Sequence, residues 1–492
     1  MTVKYQPVVG LEVHAVLETR SKMFCDCPVV DSTHDQANVA VCPVCAGMPG
    51  MLPVLNKAAV DYALRVALAL NCRINETSIF ARKSYFYPDL PKGFQISQYE
   101  EPLAEDGWLT IATDEGEQRV GIRRVHLEED TGKLTHIQED GESHSLVDLN
   151  RSGVPLLEIV TEPELHSVQS VRAYAYSLRT ILRYLEVNSG DMEKGLMRIE
   201  PNISIRPQGS EEFGTRAEIK NLNSFRSLER ALNYELERQT QLVESGNAVK
   251  QQTLGWDDIS GKTIPQRSKE VAEDYRYFPE PDLPPLQVDS AWVEQVRANL
   301  PELPDQKMTR FIDQDALSEY DANLLVAERD IADFYEKVKA ACKHAEAKLI
   351  AHWITGPLFS LLNEKNTSIQ EITLEPAAFA QLLDILAKEE INPAAGRKVL
   401  AEMILGRKSA SELVSDLGLE ALSDKEKLSE LINTILVDNK KQVDEYLLGK
   451  EGIINWLFGQ AMAASQGRAN PQALRAVLLE RLQALRDQQE NK

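Results

Sequence analysis

Apolar residues occupy every second position near the start of the chain. Val9, Leu11, Val13, Ala15 and Leu17 fall on one side of an extended Val8–Glu18, and Gly10, Glu12, His14, Val16 and Glu18 fall on the other. The same alternation predicts a strand with Ile199, Ile203 and Ile205 on one side and Arg198, Glu200, Asn202, Ser204 and Arg206 on the other. A further strand sets Ala217 and Ile219 against Arg216, Glu218 and Lys220. Elsewhere the period lengthens to that of a helix. Asn56–Asn71 carries the stripe Val60, Ala63, Leu64, Ala67 and Leu68. Ser167 precedes a second stripe of Val168, Val171, Ala175, Leu178, Leu182 and Leu185, and a third helix runs from near Asn223 to Gly246. Few, widely separated helices and strands that follow one another directly predict an α+β domain rather than a βαβ repeat.

The texture changes after the prolines of Phe278–Pro285 and after Pro301 and Pro304. Asp330–Lys343, Leu349–Leu362 and Pro376–Lys388 all read as helices. Gly406-Arg407-Lys408 suggests a second boundary, followed by a small helical unit in which Asn470 caps a helix starting at Pro471. The expected domains are 1–295, 296–406 and 407–492, a division that suits 492 residues.

A net charge of −22 argues against broad electrostatic capture of nucleic acid, while leaving room for a local basic patch or recognition of shape. No apolar run approaches the roughly 20 residues that span a bilayer, and the first residues carry no signal-peptide core. A cytoplasmic protein without a membrane partner is expected. Four of the six cysteines form Cys25-Asp26-Cys27 and Cys42-Pro43-Val44-Cys45. A lone Cys-Pro-x-Cys would suit redox chemistry. Two adjacent pairs outside a βαβ setting favour one structural zinc held by all four thiolates. Cys72 and Cys342 are expected to be inert core residues.

A single Glu-x-His on a strand is most simply a wet face, but other acids sharpen the picture. Glu158 interrupts the apolar run Pro155–Val160, so it needs a cation or donors, with an arginine partner as the competing explanation. In His126–Lys133 three adjacent acids repel one another unless a cation is near. Alternation puts Glu128 and Glu129 on opposite faces, so only one joins His126. Arg82–Gln98, rich in basic, aromatic and proline residues, reads as an irregular functional loop whose lysine suits a phosphate. Gly255–Thr263 has the look of a P-loop but one residue too many between its glycines, and two aspartates that would repel phosphate. Any bound ATP would therefore lie on an open sheet.

Taken together, several segments resemble the B subunit of bacterial aspartyl/glutamyl-tRNA amidotransferases. They are Gly10-Leu11-Glu12-Val13-His14, Arg82–Asp89, His126–Lys133, Leu146–Arg151, Lys220–Phe225, Tyr275–Asp282, Gly459-Gln460 and Gly467–Pro471, and they span nearly the whole chain in order. The resemblance implies a cradle domain with a glutamine-synthetase-like antiparallel sheet, then a helical domain and a YqeY-like tail, both all-α, with a flexible linker near residue 406. It implies a heterotrimer with an A subunit that releases ammonia from glutamine and a small C subunit. The substrate would be tRNA misacylated with glutamate or aspartate and held by its outer corner. The γ-phosphate of ATP would pass to the side-chain carboxylate, and ammonia would then displace phosphate to give Gln-tRNA or Asn-tRNA. By motif match His14, Glu129 and Glu158 resemble magnesium ligands. Glu12, Lys83 and Glu128 are the expected catalytic groups, and Lys83, Arg206 and Lys220 the expected ATP contacts. Only some members carry the knuckle of Cys25, Cys27, Cys42 and Cys45, so zinc rests on spacing, and Glu200-Pro201 departs from the family pattern. The alternatives are a stand-alone carboxylate–amine ligase and a non-catalytic, zinc-containing RNA-binding scaffold.

Overall fold

In the computed structural model, which describes residues 4–31, 34–139, 142–266, 275–406, 408–419, 425–465 and 469–490, the opening alternation becomes strand Tyr5–Val16 at the centre of a sheet. The sheet has nine strands among the described residues. Their order is Lys262–Pro265, Gln252–Asp257, Ala217–Lys220, Met197–Pro207, Tyr5–Val16, Pro155–Thr161, Gly116–Glu129, Ala104–Thr113 and Arg73–Ile74. Ala217–Lys220 runs parallel to Gln252–Asp257, and every other pairing in the sheet is antiparallel. The chain divides into two compact units, Met1–Leu303 and Pro304–Lys492.

In the first unit the apolar side of the sheet is covered by helices Lys57–Ala69, Val168–Tyr184 and Phe225–Glu244. Val9, Leu11, Val13 and Ala15 join Val60, Leu64, Val171, Leu178, Leu228 and Leu232 in one core. Each helix is started by a side chain that accepts an otherwise orphaned N–H. Asn56 accepts from Ala58, Ser167 from Ser170, and Ser224 from Ser227. Such a cap contributes about 1 kcal/mol. Burying these stripes removes one face of the central strands from water and leaves the other face free for polar residues.

Arg82–Gln98 is not a loop throughout. Phe80–Ser84 and Phe94–Gln98 pair antiparallel, and Phe278–Pro279 adds a third strand. This small sheet stands against the end of strand Gly116–Glu129. The Leu127 N–H donates to the Gln98 side chain, and the Gln95 amide donates to the Glu129 carbonyl. Only residues 85–93 form the turn. The sequence pattern missed the hairpin because Phe80–Ser84 does not alternate apolar with polar residues, and the third strand, Phe278–Pro279, lies about 200 residues on. Gly255–Thr263, rejected as a P-loop, is a β-hairpin. Its Asp257 accepts from the Ile259 N–H and from the Ser260 hydroxyl.

The second unit is helical in all its described elements and has two cores. One runs from Phe311 to Val414, the other from Leu428 to Leu482. Ala410, Leu413 and Val414 of helix Ala410–Asp416 belong to the earlier core, so the hydrophobic partition falls after that helix and not at Gly406. The stretch Leu349–Leu362, expected as one helix, is two helices joined by a π-helical turn, Ile354–Leu358. Pro357 sits in that turn, where its missing N–H cannot serve an α-helical ladder. Asn470 accepts from the Gln472 and Ala473 N–H groups, capping helix Pro471–Glu490. Arg407, Gly467 and Arg468 lie outside the described residues. Among the described residues no helix is long and apolar enough to cross a membrane.

Candidate active site and cysteine cluster

Strand register builds the site. Arg198, His14, Glu158 and His126 stand side by side across four neighbouring strands. All lie on the face opposite the core that buries Val13, Leu127, Leu157 and Ile159. His14 Nε2 is 3.4 Å from Glu158 Oε2 and 3.7 Å from Glu128 Oε1, and His126 Nε2 is 3.3 Å from Glu158 Oε2. Glu128 also accepts from the Ser97 hydroxyl at 3.2 Å. The partners of the interrupting acid Glu158 are thus two imidazoles, not an arginine. His126 received no role from the sequence, although its spacing of two from Glu128 was the available signal.

The electrostatics follow from burial. Desolvation opposes charge on Glu158, but the nearby His126 and His14 hold it well below the usual carboxylate range. Burial disfavours the His14 imidazolium, yet the Glu158 hydrogen bond and the charges of Glu158, Glu128 and Glu200 raise its pKa to about 9. A proton therefore supplies positive charge among the carboxylates. One ligand atom each from His14, Glu128 and Glu158 lies within 4.8 Å of the others, so a divalent cation among them can reach all three. Two carboxylates and one neutral imidazole match its charge, and binding would expel the proton. Lys83, on the small sheet, faces this cluster. Burial works against its charge, but Glu128 and Glu158 raise its pKa, and the ammonium lies 5.0 Å from the centre of the Tyr275 ring.

A second acidic group, Glu12, Glu200 and Glu218, occupies the same face. Glu12 accepts from Asn202 at 3.1 Å, and burial with the charges of Glu158, Glu218 and Glu200 raises its pKa. Lys220 lies 2.9 Å from Glu200 and 3.2 Å from Glu218. Burial would raise the Glu200 pKa, but Lys220 and His14 lower it.

Two expected site residues stand elsewhere. Glu129 points away from the His14 cluster, as the pleat requires once Glu128 faces it. It pairs with Lys92 and accepts from the Ile96 N–H at 2.9 Å. Arg206 is opposite Gln6, eight residues along the strand from the His14 row, or roughly 26 Å at the usual rise.

The four cysteines come together as spacing predicted, with one sulfur from each within 4.8 Å of the others. Cys45 accepts from the Cys42 N–H at 3.2 Å. The fully buried Lys22, for which the sequence offered no signal, donates to Cys45 Sγ at 3.6 Å and to the Ala40 and Leu149 carbonyls at 2.7 and 3.1 Å. Hydrogen bonding from Cys25, against desolvation, brings the Cys45 thiol down to about 4. A tetrahedral thiophilic ion fits this donor set, and Lys22 offsets part of its thiolate charge. Cys72 is buried in the core of the first unit.

Residues 7–294 match the family described as the GatB/GatE catalytic domain, and residues 333–482 match the GatB domain. The B subunit of the aspartyl/glutamyl-tRNA(Asn/Gln) amidotransferase of Moorella thermoacetica is 47% identical over 479 residues, covering 97% of this chain and 100% of that protein. Its namesakes in Roseiflexus castenholzii and Persephonella marina are 46% and 44% identical, each over 97% of this chain and 99% and 100% of their own lengths. With the match to its catalytic domain alone covering more than half the sequence, the chain belongs to the GatB family of amidotransferase proteins.

Proposed function

We propose that this chain is the B subunit of a cytoplasmic tRNA-dependent amidotransferase, a ligase that activates the side-chain carboxylate of Glu-tRNA(Gln) or Asp-tRNA(Asn) with ATP and amidates it. The observation that carries the reading is the anionic His14, Glu128 and Glu158 cluster faced by Lys83 on the polar face of the central sheet. The mainly antiparallel sheet with one polar face supports a glutamine-synthetase-like cradle. Ammonia comes from a glutaminase A subunit, a small C subunit completes the heterotrimer, and the helical unit holds the tRNA.

A carboxylate is a poor electrophile, so one of its oxygens first attacks the γ-phosphorus of ATP. A new O–P bond forms as the bond to ADP breaks. Ammonia then adds to the acyl carbon and phosphate leaves. His14, Glu128 and Glu158 would hold magnesium, which supplies charge neutralisation for the transferring phosphoryl group. Lys83 and Lys220 offer ammonium groups to phosphate oxygens, and Glu12 stands beside them. Cys25, Cys27, Cys42 and Cys45 would hold zinc, which ties the two ends of the 25–45 segment together.

An amidation assay of the reconstituted heterotrimer with both misacylated tRNAs tests this reading. ATP cleavage should require misacylated tRNA. Equal cleavage with free glutamate would favour a small-molecule carboxylate–amine ligase.

A further inference from the structure

The motif Tyr275-Arg276-Tyr277-Phe278-Pro279-Glu280 has no part in the chemistry above, yet the fold brings it to the cluster. Phe278 and Pro279 pair with Arg82 and Ala81, and the Ser84 N–H donates to the Tyr275 carbonyl at 2.9 Å. Arg82 locks this register. Its guanidinium donates to both oxygens of buried Glu280, at 2.7 and 2.8 Å, and lies 4.2 Å from the centre of the Phe94 ring. Continuing the antiparallel register by one residue sets Tyr277 opposite Lys83, so phenol and ammonium share a face. The Tyr277 ring stacks on Tyr99 with centroids 4.1 Å apart and planes 8° from parallel. Arg124, on the strand of His126 and Glu128, reaches the same place. Its guanidinium lies 5.7 Å from the centre of the Tyr99 ring, and its buried Nε has no hydrogen-bond partner among the described residues. The Tyr277 phenol thus feels Lys83 and Arg124 on one hand and Glu128 and Glu158 on the other.

We infer that the Tyr277 hydroxyl, beside Lys83, donates a hydrogen bond to the substrate carboxylate oxygen that does not attack phosphorus. This rests on the activation chemistry proposed above. That oxygen becomes an oxyanion when the lone pair of ammonia forms the C–N bond and the carbonyl π pair moves onto it. The pair returns as the C–O bond to phosphate breaks, phosphate departs with the bonding electrons, and the nitrogen gives one proton to solvent. A fixed donor aimed at that atom acts only where charge develops. Burial, with Glu128 and Glu158, keeps the phenol protonated against the pull of Lys83 and Arg124, so it can donate.

The test compares Tyr277→Phe and Tyr99→Phe in the reconstituted heterotrimer with misacylated tRNA, ATP and glutamine. Both variants keep the ring stack. Tyr277→Phe should lower kcat for amide formation about 100-fold, the scale of one oxyanion donor, with the KM for misacylated tRNA and the Tm unchanged. Tyr99→Phe should match the wild type. Unchanged kcat in Tyr277→Phe, equal loss in both variants, or a loss that appears in KM or Tm would overturn the assignment. A wild-type complex that makes no amide from either tRNA would instead overturn the proposed function, and this inference with it.

Discussion

Two anionic groups share one face of the central sheet, and they differ in what balances their charge. Glu200 and Glu218 are neutralised from within by Lys220, in contact with both. Among the described residues the basic groups in contact with Glu128 and Glu158 are imidazoles, and those can exchange a proton for a metal ion. Carboxylates on a sheet do not by themselves make a cation site. What matters is whether the fold has already supplied the cation. Lys220 already pairs Glu200 and Glu218 in the first group, whereas the titratable histidines leave the second able to bind and release charge.

The largest effect should follow from breaking the second group. Glu158→Gln removes an anionic ligand and the negative charge that His14 and His126 share. ATP-dependent activation should fall by about 1000-fold, the order expected of a lost electrostatic stabiliser, while tRNA binding in a filter assay stays intact. Equal loss of both would make Glu158 a structural acid.

Removing the metal from the cysteine cluster comes next. Elemental analysis should find about one zinc per chain, and chelation should lower the Tm of the first unit without altering the coordinating face around Glu158. A metal-free protein of unchanged Tm would contradict the structural role.

Glu200→Gln should act on stability, by about 2 kcal/mol for one half-buried charged contact, measured by denaturant unfolding. The sign with pH is set by the lowered pKa of Glu200. Its contribution is fully present above the unfolded value of 4.5 and is lost as pH falls through the lower folded value. The variant should therefore lose part of the wild-type acid-unfolding slope. An identical slope would show that Lys220 does not hold Glu200.

Alternation alone made the central strands and their polar faces legible, because a strand repeats every two residues and one face must be buried. It also reduced the choice between Glu128 and Glu129 to a single bit, which register to Leu156 and contact with Ser97 then resolved. Motif matching favoured Glu129 and could not see that bit. Arg206 shares a face with Arg198 but not a place, since face says nothing about distance along a long strand. Lys83 was read from its motif, but its place on a strand comes from pairing with Gln95 across the 85–93 turn, inside a segment whose prolines and aromatics masked any alternation. Helix starts were legible from Asn56, Ser167 and Ser224, where the side chain itself makes the cap. The end of the middle helical core was not. Gly406 marks a helix end, but Leu413 still packs backwards.

The most direct test of the account is transfer of labelled γ-phosphate from ATP to Glu-tRNA by the complex in the absence of glutamine, comparing Glu158→Gln with Glu200→Gln. Labelled acyl phosphate should form with the wild type and Glu200→Gln and be lost with Glu158→Gln. Full labelling by Glu158→Gln, with loss in Glu200→Gln, would move the chemistry to the lysine-balanced group and contradict the assignment.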